Sequence, residues 1–230
     1  MYWVFSYSII IIFTVLIISI ITQCMSFRYF TLKGDLPGPH SVFIGTTHGN
    51  EPAGYHALMN FLNKNPKIIH GKITIIPELN RCGRLCNYRN NPFGDYDINR
   101  NYESIKPINQ QVINIIKNAD YVTDCHEGWS FHNLNKTSIG SGIYPGQTQK
   151  AKDLAIKLIN SINKTLPNDY HQFSTFELNS ITGSLRDYCN KNNKNYILIE
   201  TSGINDIQEI KVRVDQQEFL LNEIINTLHM

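Results

Sequence analysis

A histidine and a glutamate stand three residues apart in the motif His48–Glu51, whose sequence is HGNE. The intervening Gly49 permits a tight turn between a strand and a helix, so both side chains can face one cavity. Histidine nitrogen and carboxylate oxygen are ligands of catalytic zinc, which also needs a third protein ligand and an open position for water. His126 can supply that third ligand. The three residues therefore indicate a metal centre.

Polar residues whose side chains could take part in catalysis follow the predicted apolar strands. His126 and Glu200 come directly after the strand segments 121–125 and 196–199, and His48 follows the segment 41–46 by two residues. Ligands of open α/β sheets bind at the carboxyl ends of the strands, so we expect these side chains in one site. Asp124 precedes His126 by two residues and falls on the same strand face, where it can orient the imidazole.

The elements that position these residues alternate between strand and helix. An apolar run at 72–77 predicts one further strand, and the Leu36–Pro39 segment (LPGP) predicts a turn. The irregular segment 81–102 is expected to be a long loop. Helical spacing predicts helices over 52–62, 107–118, 147–166, 181–190 and 208–228. This alternation predicts an α/β fold with a mostly parallel central sheet flanked by helices.

Composition excludes several classes of protein. The chain has 230 residues, of which 42% are hydrophobic and 17% charged, as expected for a folded globular protein. Its net charge is +2 without basic runs, which argues against nucleic acid as a partner. Five cysteines are too few for a disulfide scaffold. Cys82 and Cys86 are expected to be free thiols, with a disulfide or a second metal pair as alternatives.

The segment Tyr2–Thr22 has no charged residue and is almost wholly apolar. About 20 such residues match the ~30 Å hydrocarbon core of a bilayer. We therefore predict a single-pass membrane anchor within residues 1–26 and a catalytic domain over residues 27–230. The alternative is a signal segment, with secretion after its cleavage. The orientation in the membrane stays open.

Four short segments occur in a specific order: THGNEPAG at 47–54, DINR at 97–100, DCH at 124–126 and IET at 199–201. In this order they resemble the zinc carboxypeptidase superfamily, and most closely its succinylglutamate desuccinylase/aspartoacylase-like branch, over about residues 41–203. The resemblance implies the three-layer zinc-carboxypeptidase-like fold. It also implies one zinc ion per chain, held by His48, Glu51 and His126.

The same resemblance assigns roles to further residues. It implies that Glu200 is the general base, and zinc chemistry supports this, because zinc lowers the pKa of water and a nearby carboxylate can take its proton. It implies that Asn99 and Arg100 hold a substrate carboxylate, for which the planar guanidinium is suited. An oxyanion-stabilising arginine is also expected, with Arg89 as the candidate and Arg84 as its rival.

Structural alternatives exist for these residues. Glu200 could be a salt-bridged carboxylate at a sheet edge, and Arg100 could be a loop arginine paired with Asp95 or Asp97. Glu127 is expected to face away from its neighbour His126, because adjacent strand residues point to opposite faces. Two further arginines, Arg186 and Arg213, could line a specificity pocket.

These observations give a leading function and two alternatives. The first is a zinc-dependent deacylase of N-acyl amino acids. The second is a carboxypeptidase that trims short or cell-wall peptides, because the DCHEGWxFH stretch resembles peptidoglycan-trimming members of the superfamily. About 30 residues follow Glu200, where aspartoacylase-like enzymes often carry a β-rich domain, so a more open site is expected. The third is a membrane-tethered, non-catalytic binding module.

Overall fold

A computed structural model describes residues 2–203 and 205–230, except for the side chains of residues 2–9 and 20. The helices are α1 (Tyr2–Cys24), α2 (Ala53–Asn63), α3 (Arg81–Leu85), α4 (Pro107–Ile116), α5 (Gln149–Asn163), α6 (Leu185–Lys191) and α7 (Ile210–Leu228), with one 3-10 turn at Ile98–Arg100. The strands are β1 (Phe30–Lys33), β2 (Leu36–Gly45), β3 (His70–Ile76), β4 (Tyr121–Gly128), β5 (Gly142–Pro145) and β6 (Asn195–Ser202).

The six strands form one sheet in the order β1-β3-β2-β4-β6-β5. The central strands β3, β2, β4 and β6 are parallel, and β1 and β5 pair antiparallel at the two edges. Parallel strands covered on both faces are buried on both sides, which is why the segments 41–46, 121–125 and 196–199 show no polar–apolar alternation. The predicted mostly parallel sheet is therefore confirmed.

Two apolar cores lie on opposite faces of this sheet. One core joins Phe43, Ile73 and Ile199 to α2, α5 and α7 through residues such as Leu58, Leu158 and Leu221. The other joins Val42, Ile76 and Leu198 to α4 and α6 through residues such as Val112 and Leu185. Helix, sheet and helix thus form three layers, as expected.

The boundaries differ from the sequence prediction at several points. β2 starts at Leu36, because the expected turn at 36–39 is extended and pairs with His70 of β3. The expected loop 81–102 contains α3 and the 3-10 turn. Helix α6 begins at Leu185 rather than 181, because the Ser184 side chain accepts a hydrogen bond from Asp187 N and caps the helix there.

The prediction of a single-pass membrane anchor is wrong. Over the part of the chain that the structure describes, no helix combines the length and the apolar character needed to cross a bilayer. Helix α1 spans Tyr2–Cys24, but the side chains of residues 2–9 and 20, which carried much of the prediction, lie outside the described residues.

The end of α1 is tied to the α/β body by a disulfide between Cys24 and Cys82, with 5.3 Å between their Cα atoms. The expectation of a free thiol is therefore wrong for Cys82, whereas Cys86 is an exposed free thiol. The partner of Cys82 lies 58 residues away, so local spacing could not indicate the pair. The division of the chain between residues 26 and 27 stays a prediction.

Candidate metal centre and active site

The central strands bring the predicted ligands to one edge of the sheet. β2 ends two residues before Thr47 and leads into the loop that carries His48. His126 lies on β4 and is paired in register with Glu200 of β6. Side chains at paired positions share a face, so the imidazole and the carboxylate project from the same side of the sheet.

His48, Glu51 and His126 form a buried cluster whose potential ligand atoms all lie within 4.8 Å of one another. The Nδ1 of His48 lies 2.8 Å from Glu51 Oε1, and the Nδ1 of His126 lies 2.7 Å from Glu51 Oε2. Both imidazoles thus direct the same nitrogen toward one carboxylate. Two imidazole nitrogens and a carboxylate are a donor set that fits a zinc ion with an open position.

Each imidazole is also held from behind by an aspartate. The Nε2 of His48 lies 3.1 Å from Asp97 Oδ1, and the Nε2 of His126 lies 3.0 Å from Asp124 Oδ2. Carboxylates in this position fix the ring orientation and the tautomer of metal-binding histidines. Asp124 therefore contacts the His126 imidazole, as the sequence predicts. The sequence indicates Asp97 only as a possible partner of Arg100, so its contact with His48 is visible in the structure alone.

The loop that carries His48 and Glu51 has its shape because glycine occupies position 49. A Cβ on Gly49 would lie 2.1 Å from Gly83 C and 2.3 Å from Tyr88 O, so no larger residue fits. The loop therefore packs directly against α3 and the segment after it. Gly49 N and the Asn80 side chain both donate hydrogen bonds to Arg89 O, each at 3.1 Å. These contacts position Arg89 beside Glu51.

The Arg89 side chain reaches the metal cluster, and the Arg84 side chain does not. Arg89 donates to Glu51 Oε1 at 3.1 Å and to Asp97 Oδ2 at 3.2 Å. Arg84 instead donates to Glu78 Oε1 at 2.5 Å and stacks over the Tyr55 ring at 4.1 Å. The geometry thus favours Arg89 over its rival as the arginine of the site.

Asn99 and Arg100 lie in the 3-10 turn and line the same cavity as the cluster. The Asn99 Oδ1 accepts a hydrogen bond from Leu185 N at 2.8 Å, so its amide is fixed against α6. The guanidinium of Arg100 donates to Asn99 O at 2.7 Å and lies 3.9 Å from Asp97 Oδ2. It is 39% exposed, which leaves donors free for a ligand.

Glu200 is buried in this cavity beside the cluster. Burial raises the pKa of its carboxyl group well above the usual range. The positive charges of His126 and Arg89 oppose this, and the Glu51 and Asp124 carboxylates add to it. No carboxylate–cation pair involving Glu200 occurs among the described residues, so the salt-bridge alternative finds no support.

The cluster carboxylates behave in the opposite way. Burial alone would raise the pKa of Glu51, but the adjacent His48 and His126 outweigh it and lower that pKa strongly. The pKa of Asp97 is also lowered, because His48, Arg89 and Arg100 overcome the effect of burial. Glu51 is thus ionised at neutral pH, as a metal ligand must be.

The cavity has a volume of about 220 Å³ and a mixed lining. Its polar residues include His48, Glu51, Arg89, Asn99, Arg100, His126, Glu127, Arg186 and Glu200, and its apolar walls include Ile139, Leu178, Ile181 and Leu198. Trp129 also lines the cavity, and 43% of its surface is exposed. The structure therefore places all the predicted site residues, and Arg186, around one space.

Glu127 is among the residues that line the cavity, and its carboxylate is paired with Arg213, which does not line it. The Glu127 carboxylate accepts a hydrogen bond from Ala53 N at 2.7 Å and forms a buried ion pair with Arg213 of α7. The Glu127 backbone N donates to Glu51 Oε2 at 3.1 Å. This pair therefore links β4, the start of α2 and α7 around the metal-binding loop.

Solved structures with a similar fold include two of Csd4 from Helicobacter pylori. The tripeptide-bound cell shape determinant gives a TM-score of 0.76 at 20% identity, over 88% of this chain and 55% of that chain. The mDAP-bound form, described as a D,L-carboxypeptidase, gives 0.75 at 19% identity, over 86% and 54%. A succinylglutamate desuccinylase from Silicibacter sp. TM1040 gives 0.64 at 14% identity, over 89% and 61%.

Sequence comparison adds nothing to this result, because no family model and no curated protein matches the chain. The chain spans about half the length of Csd4. At these identities the likeness establishes the fold, and the resemblance deduced from the four sequence segments is confirmed at that level. The chain shares the fold of Csd4 and the desuccinylase, a metallocarboxypeptidase-like α/β fold.

Proposed function

We propose that this protein is a zinc-dependent hydrolase of amide bonds next to a free carboxylate. One observation carries the proposal: the Nδ1 atoms of His48 and His126 converge on Glu51. Glu200 lies in register with His126 on the neighbouring strand and lines the same cavity. A metal-ligand set beside an unpaired, buried carboxylate is the arrangement that water activation requires.

Zinc in this cluster would act as a Lewis acid on the scissile carbonyl and lower the pKa of water at its open position. Glu200 would take the proton of the attacking water and deliver it to the leaving nitrogen. Arg89 would face the developing oxyanion, where a fixed guanidinium stabilises negative charge. Asn99 and Arg100 would bind the substrate carboxylate.

The leading substrate class is an N-acyl amino acid, with the protein acting as a deacylase. The small cavity supports this, since about 220 Å³ accommodates one amino acid and little more. The similar fold of the succinylglutamate desuccinylase, whose sequence is 14% identical to this chain, also supports a deacylase.

A carboxypeptidase acting on short or cell-wall peptides is the second candidate. It is favoured by the higher TM-score with Csd4, 0.76 against 0.64 for the desuccinylase. The exposed Trp129 on the cavity lining would also give a longer peptide a surface to contact. Both candidates share the metal centre, the base and the carboxylate-binding pair.

Turnover by the zinc-loaded full chain would test the proposal. The substrates are N-acetyl-aspartate, N-succinyl-glutamate and murein tripeptides, and the matched variant is Glu200→Gln. We expect hydrolysis of one class, and a decrease in kcat of about 10³-fold or more in the variant with zinc retained. Zinc-loaded native chain that hydrolyses none of these would contradict the proposal and favour a non-catalytic binding module.

A further inference from the structure

Gln217 is a polar side chain that lies fully buried on α7. Leu220, Leu221 and Ile224 follow it at helical spacing and belong to the apolar core between α7 and the sheet. An amide in such a place loses its hydration, and only hydrogen bonds within the protein can compensate that loss. The partners of the Gln217 amide therefore show what this side chain holds in place.

The amide nitrogen of Gln217 bridges the central strands β4 and β6. Its Nε2 donates to His126 O at 3.0 Å and to Thr201 Oγ1 at 3.0 Å. His126 is the third predicted metal ligand, and Thr201 follows the buried carboxylate of Glu200 in the chain. One side chain of α7 thus contacts the backbone of a predicted ligand and the residue next to the predicted base.

The register of β4 with β6 relates this bridge to the cavity. His126 is paired with Glu200, and both side chains line the cavity. Side chains alternate along a strand, so the side chain of Thr201 points away from that of Glu200 and meets α7. Gln217 can therefore fix the relative position of two cavity side chains without lining the cavity itself.

A second residue of α7 is attached to the ends of the same strands. Arg213 lies one helical turn before Gln217 and donates to Gly203 O at 3.0 Å, directly after β6. Its guanidinium also forms the buried ion pair with Glu127 of β4. Gly203 N in turn donates to Gly128 O at 2.9 Å. Helix α7 is thus held against both strands, and this contact fixes the backbone from which Gln217 extends.

The other polar atom of the Gln217 amide makes core stability a poor explanation for this residue. Within the part of the chain that the structure describes, Gln217 Oε1 is buried without a hydrogen-bond partner. A buried carbonyl oxygen in that state lowers the stability of the fold, and an apolar side chain of similar length would not carry this cost. The bridge between β4 and β6 is the feature that a glutamine adds at this position.

We propose that Gln217 is a positioning residue that sets the distance between the His126 imidazole and the Glu200 carboxylate. By binding His126 O and Thr201 Oγ1 with one amide, it prevents the carboxyl ends of β4 and β6 from moving apart. A general base works only within hydrogen-bond reach of the proton that it takes, and small displacements lower the rate strongly. This inference rests on the proposed function and adds to it a residue outside the cavity.

Replacement of Gln217 by methionine keeps the length of the side chain and removes both donors. With zinc-loaded full chain and the substrate class that the native chain hydrolyses, we expect kcat to decrease by about 10- to 100-fold. KM should change little, because Asn99 and Arg100 lie on a different segment. The matched control is Gln216→Met, since Gln216 is also buried on α7 but bonds to Gln208. Equal decreases in both variants, or native kcat in Gln217→Met, would overturn the assignment.

Thr201 provides a second test, which also applies if Gln217→Met does not fold. Thr201→Val removes the hydroxyl that accepts from Gln217 and keeps the shape of the side chain, whereas Thr201→Ser keeps the hydroxyl. We expect a lower kcat in Thr201→Val and a nearly native kcat in Thr201→Ser. In the double variant Gln217→Met/Thr201→Val, the decrease should be smaller than the product of the two single decreases, because both changes remove one contact. Fully multiplicative decreases would contradict the bridge.

Metal binding provides a readout that does not need turnover. Chelator competition measures the zinc affinity, and the visible spectrum of the cobalt-loaded full chain reports the geometry of the ligands. Both should change in Gln217→Met and stay native in Gln216→Met, because a displaced His126 alters the metal site. If the native chain binds zinc but hydrolyses no substrate, only the proposed function fails, and these two measurements still decide the role of Gln217. Native affinity and a native spectrum in Gln217→Met would reject that role.

Discussion

The Nε2 of His48 lies 3.1 Å from the Asp97 Oδ1, on the side of the ring opposite Glu51. The same aspartate accepts a hydrogen bond from Asn99 N at 2.8 Å and contacts Arg89. One carboxylate therefore contacts the loop that carries His48, the turn that carries Asn99 and the side chain of Arg89. Asp97 is thus a structural link between the three parts of the candidate site.

Replacement of Asp97 by asparagine should weaken metal binding. The change removes the charge that orients the His48 imidazole, and loss of such a partner typically costs about 10- to 100-fold in metal affinity. Chelator competition measures this on purified protein. The control is Asp95→Asn, because Asp95 is bonded to Tyr88 and Asn90 and lies off the cavity. Equal affinities for the native chain and Asp97→Asn would refute the link.

Replacement of Arg89 by methionine should slow turnover without emptying the metal site. Removal of one oxyanion donor typically lowers kcat by about 10²- to 10³-fold. Zinc content has to be measured in parallel, because Arg89 also contacts the ligand Glu51. Arg84→Met is the matched control, since Arg84 pairs with Glu78 outside the cavity. A larger decrease in kcat for Arg84→Met than for Arg89→Met would contradict the role of Arg89 and assign oxyanion stabilisation to Arg84.

The disulfide between Cys24 and Cys82 should stabilise the fold. It closes a loop of 58 residues, for which the chain-entropy argument gives about 4 kcal/mol in the free energy of unfolding. Urea denaturation of Cys24→Ser should show a loss of this order, and a reducing agent should produce it in the native chain. Cys86→Ser changes an exposed free thiol and should have little effect. Similar losses in both variants would speak against the pairing.

Asp187 should stabilise the fold in a pH-dependent way. Hydrogen bonds from Lys191 and Gly183 lower its pKa below the ordinary 3.8, against the opposing effect of burial. A depressed pKa adds stability that is complete above the unfolded value and disappears as the pH falls through the folded value. Asp187→Asn should therefore be less stable by up to about 1 kcal/mol at pH 7. Urea unfolding at pH 7, 5 and 3 should show that this difference shrinks at pH 3, and a constant difference would contradict it.

Much of the sheet and of the site could be predicted because their signals are local. Short segments rich in apolar residues indicate β2, β4 and β6, and His48, His126 and Glu200 follow these segments. The carboxyl-end rule for parallel sheets then brings these residues together without knowledge of any contact. The register of His126 with Glu200 agrees with that expectation.

The features that sequence reasoning missed depend on contacts between distant segments. β1 and β5 have four residues each and are edge strands, so their antiparallel pairing with β3 and β6 defines them more than their own pattern does. The partner of Cys82 and the contact between Asp97 and His48 likewise join residues far apart in the chain. The apolar N-terminal run predicted an anchor from composition alone, which the described part of α1 does not support.

Zinc content of the purified full chain, measured by mass spectrometry after dialysis against zinc, tests the central claim most directly. The comparison is with His48→Ala/His126→Ala, which removes two of the three ligands while Glu51 remains. We expect one zinc ion per native chain and none in the double variant. A native chain without zinc, or a double variant that still holds a full equivalent, would contradict the metal centre and the hydrolase built upon it.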